Sequence, residues 1–222
     1  PPPAALPPGT LDEAACRALL QAAGIPFVPG EAVADADAAC DAAARLGWPV
    51  VLKILSPDIA HKSEVGGVRL DLRGEAALRA AWEAMMAEVR AKAPGARIAG
   101  ALVSPMLRGG VETVLGMTRD PVFGPLLMFG LGGVFVEVFR DVGFRLAPLA
   151  RAEALRLVRS IRGFPLLDGA RGRPKVDLDA LADALVALSR FAEAHPEAAS
   201  VEINPFIALP RGGCGVDAVI LR

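Results

Sequence analysis

Between residues 53 and 67 the chain reads KILSPDIAHKSEVGG, a run whose side chains are of the types that handle phosphate. Lys53, delivered by the apolar run Pro49, Val50, Val51 and Leu52, offers a compact charge for polyphosphate oxygens. Gly66 and Gly67 let backbone N–H groups approach an anion with no Cβ in the way. His61, between the lysine and the glycines, can carry a phosphoryl group or move a proton. Lys62 beside it is a second cation. Taken alone, the same residues read equally well as a snorkelling lysine and an ordinary turn.

Features nearer the C terminus tip that balance. Glu202-Ile203-Asn204-Pro205 is followed, thirteen residues after Asn204, by Asp217. In a hairpin Asn204 and Asp217 would meet. An amide oxygen with a carboxylate is the hard oxygen ligation that Mg²⁺ accepts while keeping waters and nucleotide phosphates. Glu202, two residues before Asn204, falls on the same sheet face. By themselves these three would as readily be a solvated strand face. Glu112, beside Val111 and near Val114, opens another strand, where it could accept hydrogen bonds from a ribose or simply meet water.

The elements that must position these residues follow from local pattern. Thr10-Leu11-Asp12-Glu13 has the form of a capping box, with Thr10 at the N-cap and Glu13 closing it, opening a helix that stops at Gly24. A second helix is expected over 37–46, ended by Gly47. A long amphipathic one follows over 75–91, with Leu78, Trp82, Met85 and Val89 on its apolar face. Trp82 reads as core rather than as a stacking platform. Strands are expected over 49–52, 68–72 and 98–103. Beyond Ser104-Pro105-Met106, the expected hinge, short strands recur over 112–118, 126–129, 135–138 and 143–148. Helices over 151–161 and 178–194 and strands over 201–203 and 216–221 end the chain. The expected division is a proline-rich linker over 1–9, one subdomain over 10–103 and another over 104–222.

The 222 residues suffice for one large domain or two small ones. Hydrophobic residues make up 53%, yet no apolar run approaches the roughly 20 residues of a membrane span, so the expectation is a soluble protein. Acidic and basic side chains number 25 and 24, which argues against an electrostatic nucleic-acid footprint. Tyrosine is absent, which argues against base-stacking surfaces. Cys16, Cys40 and Cys214 lack metal-ligand spacing, and with no secretory signal the expected compartment is a reducing cytoplasm.

Four blocks in order carry a resemblance: PVVLKILSPDIAHKSEVGGV at 49–68, DPVFGPLLMFGLGGVFVEVFRDVGFRLAPL at 120–149, GARGRP at 169–174, and EINPF with VDA at 202–206 and 216–218. Together they resemble the ATP-grasp (beta-type) subunit or domain of the NDP-forming acyl-CoA synthetases, the ADP-forming acetyl-CoA synthetase group related to succinyl-CoA synthetase. The resemblance implies an ATP-grasp fold of α/β (α+β) class, with two α/β subdomains and a nucleotide cleft between them. It implies the reaction acyl-CoA + ADP + phosphate ⇌ acid + CoA + ATP, with a phosphohistidine as carrier. By resemblance, Lys53, Gly66 and Gly67 hold nucleotide phosphates, Ser104 and Met106 border the base, and Glu112 holds the nucleoside. Asn204 and Asp217 would ligate Mg²⁺, which enters with ATP or ADP. His61 would be the phosphoryl relay and Glu202 its support.

The chain departs from the pattern at Glu64, where aspartate is usual, and at Ser104-Pro105, where a longer polar pair is expected and Pro105 offers no N–H. Neither a CoA-binding domain nor a second active-site histidine is evident, since His195 precedes Pro196 at a helix end and reads as structural. The expected partner is therefore a CoA-binding (alpha-type) subunit or fused domain. The competing reading is a non-catalytic regulatory nucleotide-binding domain fused to an acetyltransferase, which the proline-rich start would suit. Retention of His61 weighs against it, because a pure binder has no use for a relay.

Overall fold

In the computed structural model, residues 5–59, 61–133 and 141–222 are described, and the strand expected over 135–138 lies outside them. The chain divides into two compact units. The smaller holds Asp12–Ala14 and Val28–Arg108; the larger holds the N-terminal stretch to Leu11, Ala15–Phe27 and Gly109–Arg222. Helix α1 (Glu13–Ala22) thus begins in the smaller unit and continues in the larger.

In the smaller unit the order is β1 (Glu31–Val33), α2 (Ala36–Leu46), β2 (Val50–Leu55), β3 (Val68–Leu72), α3 (Glu75–Lys92) and β4 (Gly100–Pro105). The four strands form an antiparallel sheet in the order β1-β4-β2-β3. Asp35 caps α2 by accepting the Ala38 N–H at 2.8 Å. Helix α3 buries Leu78, Trp82, Met85 and Val89, the apolar stripe read from the sequence, with Met86 beside them. They pack on Leu52 and Ile54 of β2 and on Ala101 and Val103 of β4. Each such side chain contributes about 1.5–3 kcal/mol when buried. Side chains alternate along a strand, so Val51 and Lys53 take the opposite face of β2. The β2–β4 register sets Lys53 against Leu102 and Val51 against Ser104, so Lys53 and Ser104 share that face.

The larger unit continues with β5 (Val111–Asp120), β6 (Gly124–Leu131), β7 (Val142–Leu146), α4 (Arg151–Ser160), α5 (Phe164–Leu167), a 3₁₀ turn (Ala170–Gly172), α6 (Leu178–Ala194), β8 (Ser200–Ala208), β9 (Gly213–Gly215) and β10 (Ala218–Leu221). Its antiparallel sheet runs β10-β8-β5-β6-β7, with β9 pairing β8. Leu115, Met117, Leu127, Phe129, Val201 and Ile203 meet α4 and α6 in one core. Where Thr113 to Leu115 of β5 faces Ile203 to Phe206 of β8, the register shifts, and β8 carries one extra residue at Asn204-Pro205. Pro205 has no N–H for the ladder, which suits a bulge. The bulge turns Phe206 into the core beside Ile203, although the two stand an odd number of residues apart.

Three local expectations are corrected. The capping box does not form: α1 starts at Glu13 itself, and that carboxylate serves two lysines of the smaller unit instead of the backbone at Thr10. The strand expected over 98–103 runs from Gly100 to Pro105, and Ser104-Pro105-Met106 is not a free hinge. Ser104 and Pro105 pair with Val51 and Val50, and the Met106 N–H donates to Pro49 O at 2.9 Å. The units part instead between Arg108 and Gly109, where Gly109 and Gly110 both have positive φ. Cys16, Cys40 and Cys214 are all unbridged, and among the described residues no helix is long and apolar enough to cross a membrane.

Candidate functional site

In the smaller unit Lys53 lies inside β2, two residues short of its end, and is buried. Its Nζ donates to Glu13 Oε1 at 2.9 Å, and Lys62 Nζ stands 3.0 Å from Glu13 Oε2. All three groups are out of water, with side-chain exposures of 5% for Lys53, 6% for Lys62 and 0% for Glu13. Buried charges persist only when paired, and here one carboxylate serves two ammonium groups. His61, next to Lys62, is exposed, and its carbonyl accepts the Glu64 N–H at 3.3 Å.

The loop that carries His61 is tied at both flanks. On the upstream side the Asp58 carboxylate takes three hydrogen bonds from Arg97: its backbone N–H at 2.8 Å, Nε at 2.9 Å and Nη2 at 2.6 Å. The Arg97 side chain first and its backbone N–H second draw the Asp58 pKa down to about 2. On the downstream side Arg69 Nη1 donates to Gly66 O at 2.6 Å while its Nη2 holds Glu88 at 2.8 Å. Gly66 has φ +72°, so its backbone conformation favours glycine, and a Cβ there would also push the Glu88 carboxyl aside. The N–H groups of Gly66 and Gly67 donate to Ser63 O at 3.2 Å and Lys62 O at 2.7 Å. Both amides, expected to meet an anion, here donate to bonds that close the loop on itself.

A depressed pKa means that Asp58 favours the folded state while ionised. That contribution is complete above the unfolded carboxylate value and is lost as pH falls through the folded one. Wild type should therefore loosen between about pH 4 and pH 2. An acid titration followed by circular dichroism should show a shallower loss in Asp58→Asn, and coincident curves would contradict the assignment.

In the larger unit the expected oxygen cluster assembles on the sheet face turned away from α4 and α6. The Asn204 N–H donates to Asp217 O at 3.2 Å across the β8–β10 hairpin. Asn204 Nδ2 donates to Glu202 Oε1 at 3.0 Å, confirming that the two share a face. That bond orients the Asn204 amide and leaves its oxygen as the donor suited to a cation. Asp217 Oδ1 accepts the Ala218 N–H at 2.8 Å. Among the described residues no group of three or more His, Cys, Asp or Glu side chains could by itself hold a metal ion. An amide oxygen and a carboxylate on neighbouring strands nevertheless fit Mg²⁺, which takes one or two protein oxygens and fills the remainder with water and phosphate.

Glu112, second residue of β5, lines a separate cleft of about 510 Å³ with Val111, Leu131, Gly132, Gly133 and Arg173. A Cβ on Gly133, whose φ is +60°, would stand 3.2 Å from Glu112 Oε2. Glycine therefore keeps the approach to this carboxylate open. Of the residues expected to meet the nucleotide in the smaller unit, Ser104 is buried on the Lys53 face of the sheet, and the Met106 N–H donates to Pro49 O.

Three residues at these places had no role assigned from sequence. Glu13 was masked by the capping-box pattern, Lys62 was noted only as a second cation, and Arg173 lies within the GARGRP block without a distinguishing local signal. His195 is buried at the end of α6, its ring 4.3 Å from that of Phe191 and its Nδ1 3.5 Å from Glu197, as a structural histidine should be.

The family described as an ATP-grasp domain matches residues 7–221. The ADP-forming acetate–CoA ligase I of Archaeoglobus fulgidus is 45% identical over 199 residues, covering 90% of this chain but only 29% of that longer protein. The beta subunit of ADP-forming acetate–CoA ligase I from Pyrococcus furiosus is 39% identical over 208 residues, covering 94% of this chain and 90% of the subunit. A solved chain of the Ca. Korarchaeum cryptofilum dinucleotide forming acetyl-coenzyme A synthetase 1, in complex with coenzyme A and Ca-AMPCP, gives a TM-score of 0.92 at 42% identity, covering 96% of this chain and 93% of that one. The same enzyme with Mg-AMPPCP, its phosphohistidine segment pointing towards the nucleotide binding site, gives 0.82 at 40% identity, covering 95% and 92%. Agreement that runs nearly end to end, in sequence and in fold, makes this chain a member of the ATP-grasp domain family, similar throughout to the beta subunits of ADP-forming acetate–CoA ligases.

Proposed function

We propose that this chain is the nucleotide-binding component of an NDP-forming acyl-CoA synthetase. It would move a phosphoryl group between ATP or ADP and His61 in the overall reaction acyl-CoA + ADP + phosphate ⇌ acid + CoA + ATP. A CoA-binding subunit or fused domain would complete the enzyme, since the chain spans 29% of the longer relative and 90% of a relative that is itself a beta subunit. A cytoplasmic setting belongs to the same proposal. The observation that carries it is an exposed histidine on a loop hung from the strand that bears a buried lysine. The support from outside is the phosphohistidine segment of the Korarchaeum enzyme, a chain 40% identical to this one.

Each residue then has a task. Lys53 draws the polyphosphate, Glu112 accepts from the ribose, and Ser104 and Met106 border the base. Since the Met106 N–H is already bonded, base recognition on that edge falls to carbonyl groups. Asn204 and Asp217 would hold Mg²⁺, which when bound neutralises phosphate charge during transfer. His61 attacks the γ-phosphorus through a ring nitrogen: an N–P bond forms, the bridging P–O bond breaks, and ADP leaves with that electron pair. The phosphoimidazolium then gives up its remaining N–H proton and becomes neutral, and Glu202 keeps the supporting role in phosphoryl transfer that the resemblance implies. Gly66 and Gly67 shape the loop.

Calorimetry on the full chain tests the site. ATP binding should depend strongly on Mg²⁺ and weaken roughly 10- to 100-fold in Lys53→Ala, the loss of one or two charge-assisted hydrogen bonds. Asp217→Ala should instead abolish the metal dependence. Wild-type affinity and wild-type Mg²⁺ dependence in both variants would remove the assignment.

A further inference from the structure

Glu13 has no task in the reaction as proposed, yet its carboxylate is the most thoroughly buried charge of the smaller unit's lysine cluster. Its two oxygens reach two different parts of the proposed machinery. Oε1 takes Lys53 at 2.9 Å, from inside β2, and Oε2 meets Lys62 at 3.0 Å, from the loop. Lys62 is covalently next to His61, so wherever the Lys62 ammonium is anchored, the histidine is restrained within one residue of it. Asp58 to Arg97 and Gly66 to Arg69 tie the loop at its two ends, and Lys92 Nζ reaches Glu64 O at 3.5 Å. The Lys62–Glu13 pair is a buried charged contact at its middle.

We propose that Glu13 is a positioning residue that latches the His61 loop. It would hold Lys62 docked beside Lys53, and the loop would swing only after that ion pair opens. The proposal rests on the functional reading only for the purpose it gives to loop release. The latch itself is a statement about Lys62 and can be tested without any phosphoryl transfer. A buried ion pair is a suitable latch because separating it either leaves a charge in an apolar setting or admits water, so the docked state is discrete rather than graded. Phosphate oxygens have the same affinity for ammonium groups as the Glu13 carboxylate. A polyphosphate drawn to Lys53 would therefore compete with the latch at its other oxygen.

Trypsin offers a direct probe, because it must take the Lys62 ammonium into its own acidic pocket before it can cut the Lys62–Ser63 bond. The full chain, wild type and Glu13→Gln, would be digested briefly and the fragments weighed by mass spectrometry. Glutamine keeps the size and shape of the side chain but removes its charge. Cleavage after Lys62 is expected to accelerate at least ~10-fold, the effect of losing a buried charge-assisted contact. Cleavage after Arg73 and Arg108, whose side chains are each 64% exposed, should stay constant and so exclude general unfolding. If Glu13→Gln does not fold, Lys62→Met severs the same contact from the loop side. Its expected result is faster hydrogen exchange at the Gly67 amide, which donates to Lys62 O. Unchanged cleavage in a folded Glu13→Gln, or unchanged Gly67 exchange in Lys62→Met, overturns the latch and leaves the phosphoryl-transfer reading standing. Accelerated cleavage in a chain that never acquires an acid-labile label would separate the two the other way.

Discussion

Incubated with γ-labelled ATP, Mg²⁺ and a CoA-binding partner, the His61→Ala chain is expected to retain no acid-labile, base-stable label, and its turnover should fall roughly 10³-fold or more. The size of that loss reflects the role. A residue that carries the transferred group covalently cannot be bypassed as a residue that merely polarises can, and removing a nucleophile usually costs about as much as removing its whole constellation. The lability is itself diagnostic, because an N–P bond hydrolyses in acid and survives base, whereas a phosphoester behaves otherwise. Nucleotide affinity should be nearly unchanged in the same variant, since Lys53 in β2, beside Glu13 of α1, is untouched. Full turnover in His61→Ala would rule out the relay. An acid-labile label that persists in the variant would move the phosphoryl group to some other side chain.

The second large effect concerns stability. Phe206→Ala should cost about 3–5 kcal/mol, measured as a shift of the denaturant midpoint at constant slope. Phe206 is fully buried in the core of the larger unit, and its carbonyl accepts the Thr113 hydroxyl at 2.7 Å across the irregular stretch of β5 and β8. Truncation opens a cavity directly behind the segment that holds Glu202 and Asn204. Mg²⁺ dependence of nucleotide binding should therefore weaken alongside stability, although no candidate ligand has been altered. A cost below about 1 kcal/mol would mean that the core relaxes into the space, contrary to the packing described.

Much of this was legible in the residues alone, and the reasons differ by site. Helices α3 and α6 could be placed closely because their apolar positions repeat at helical spacing over several turns, a signal that survives local ambiguity. The Asn204–Asp217 pairing could be read because two apolar runs joined through a Pro-Arg-Gly-Gly turn signal have few ways to pair other than as a hairpin. The role of Glu13 was not legible. A glutamate three residues after a threonine is a regular capping signal, and no local pattern shows that its carboxylate meets lysines forty and more positions away. The bonding of the two glycines was hidden for a related reason. Their sequence gives permission for an anion to approach, but only the closed loop shows that both amides are already engaged. The partition of α1 between the units was equally hidden, because chain order suggests that a helix belongs with the strands that follow it.

The extra residue at Asn204-Pro205 works on β8 as a change of reading frame works on a message. Upstream of it the odd-numbered residues 201 and 203 face the helices; downstream the even-numbered 206 and 208 do. One continuous strand thereby presents Glu202 and Asn204 outward and still returns Phe206 to the interior. Point substitutions at these positions alter one side chain each. Loss of a single residue would invert every side chain on one side of the deletion, moving either the oxygen cluster or the phenylalanine to the wrong surface. The segment can therefore diverge in composition far more freely than in length, and its count of residues is as much a part of the candidate metal site as the carboxylates are.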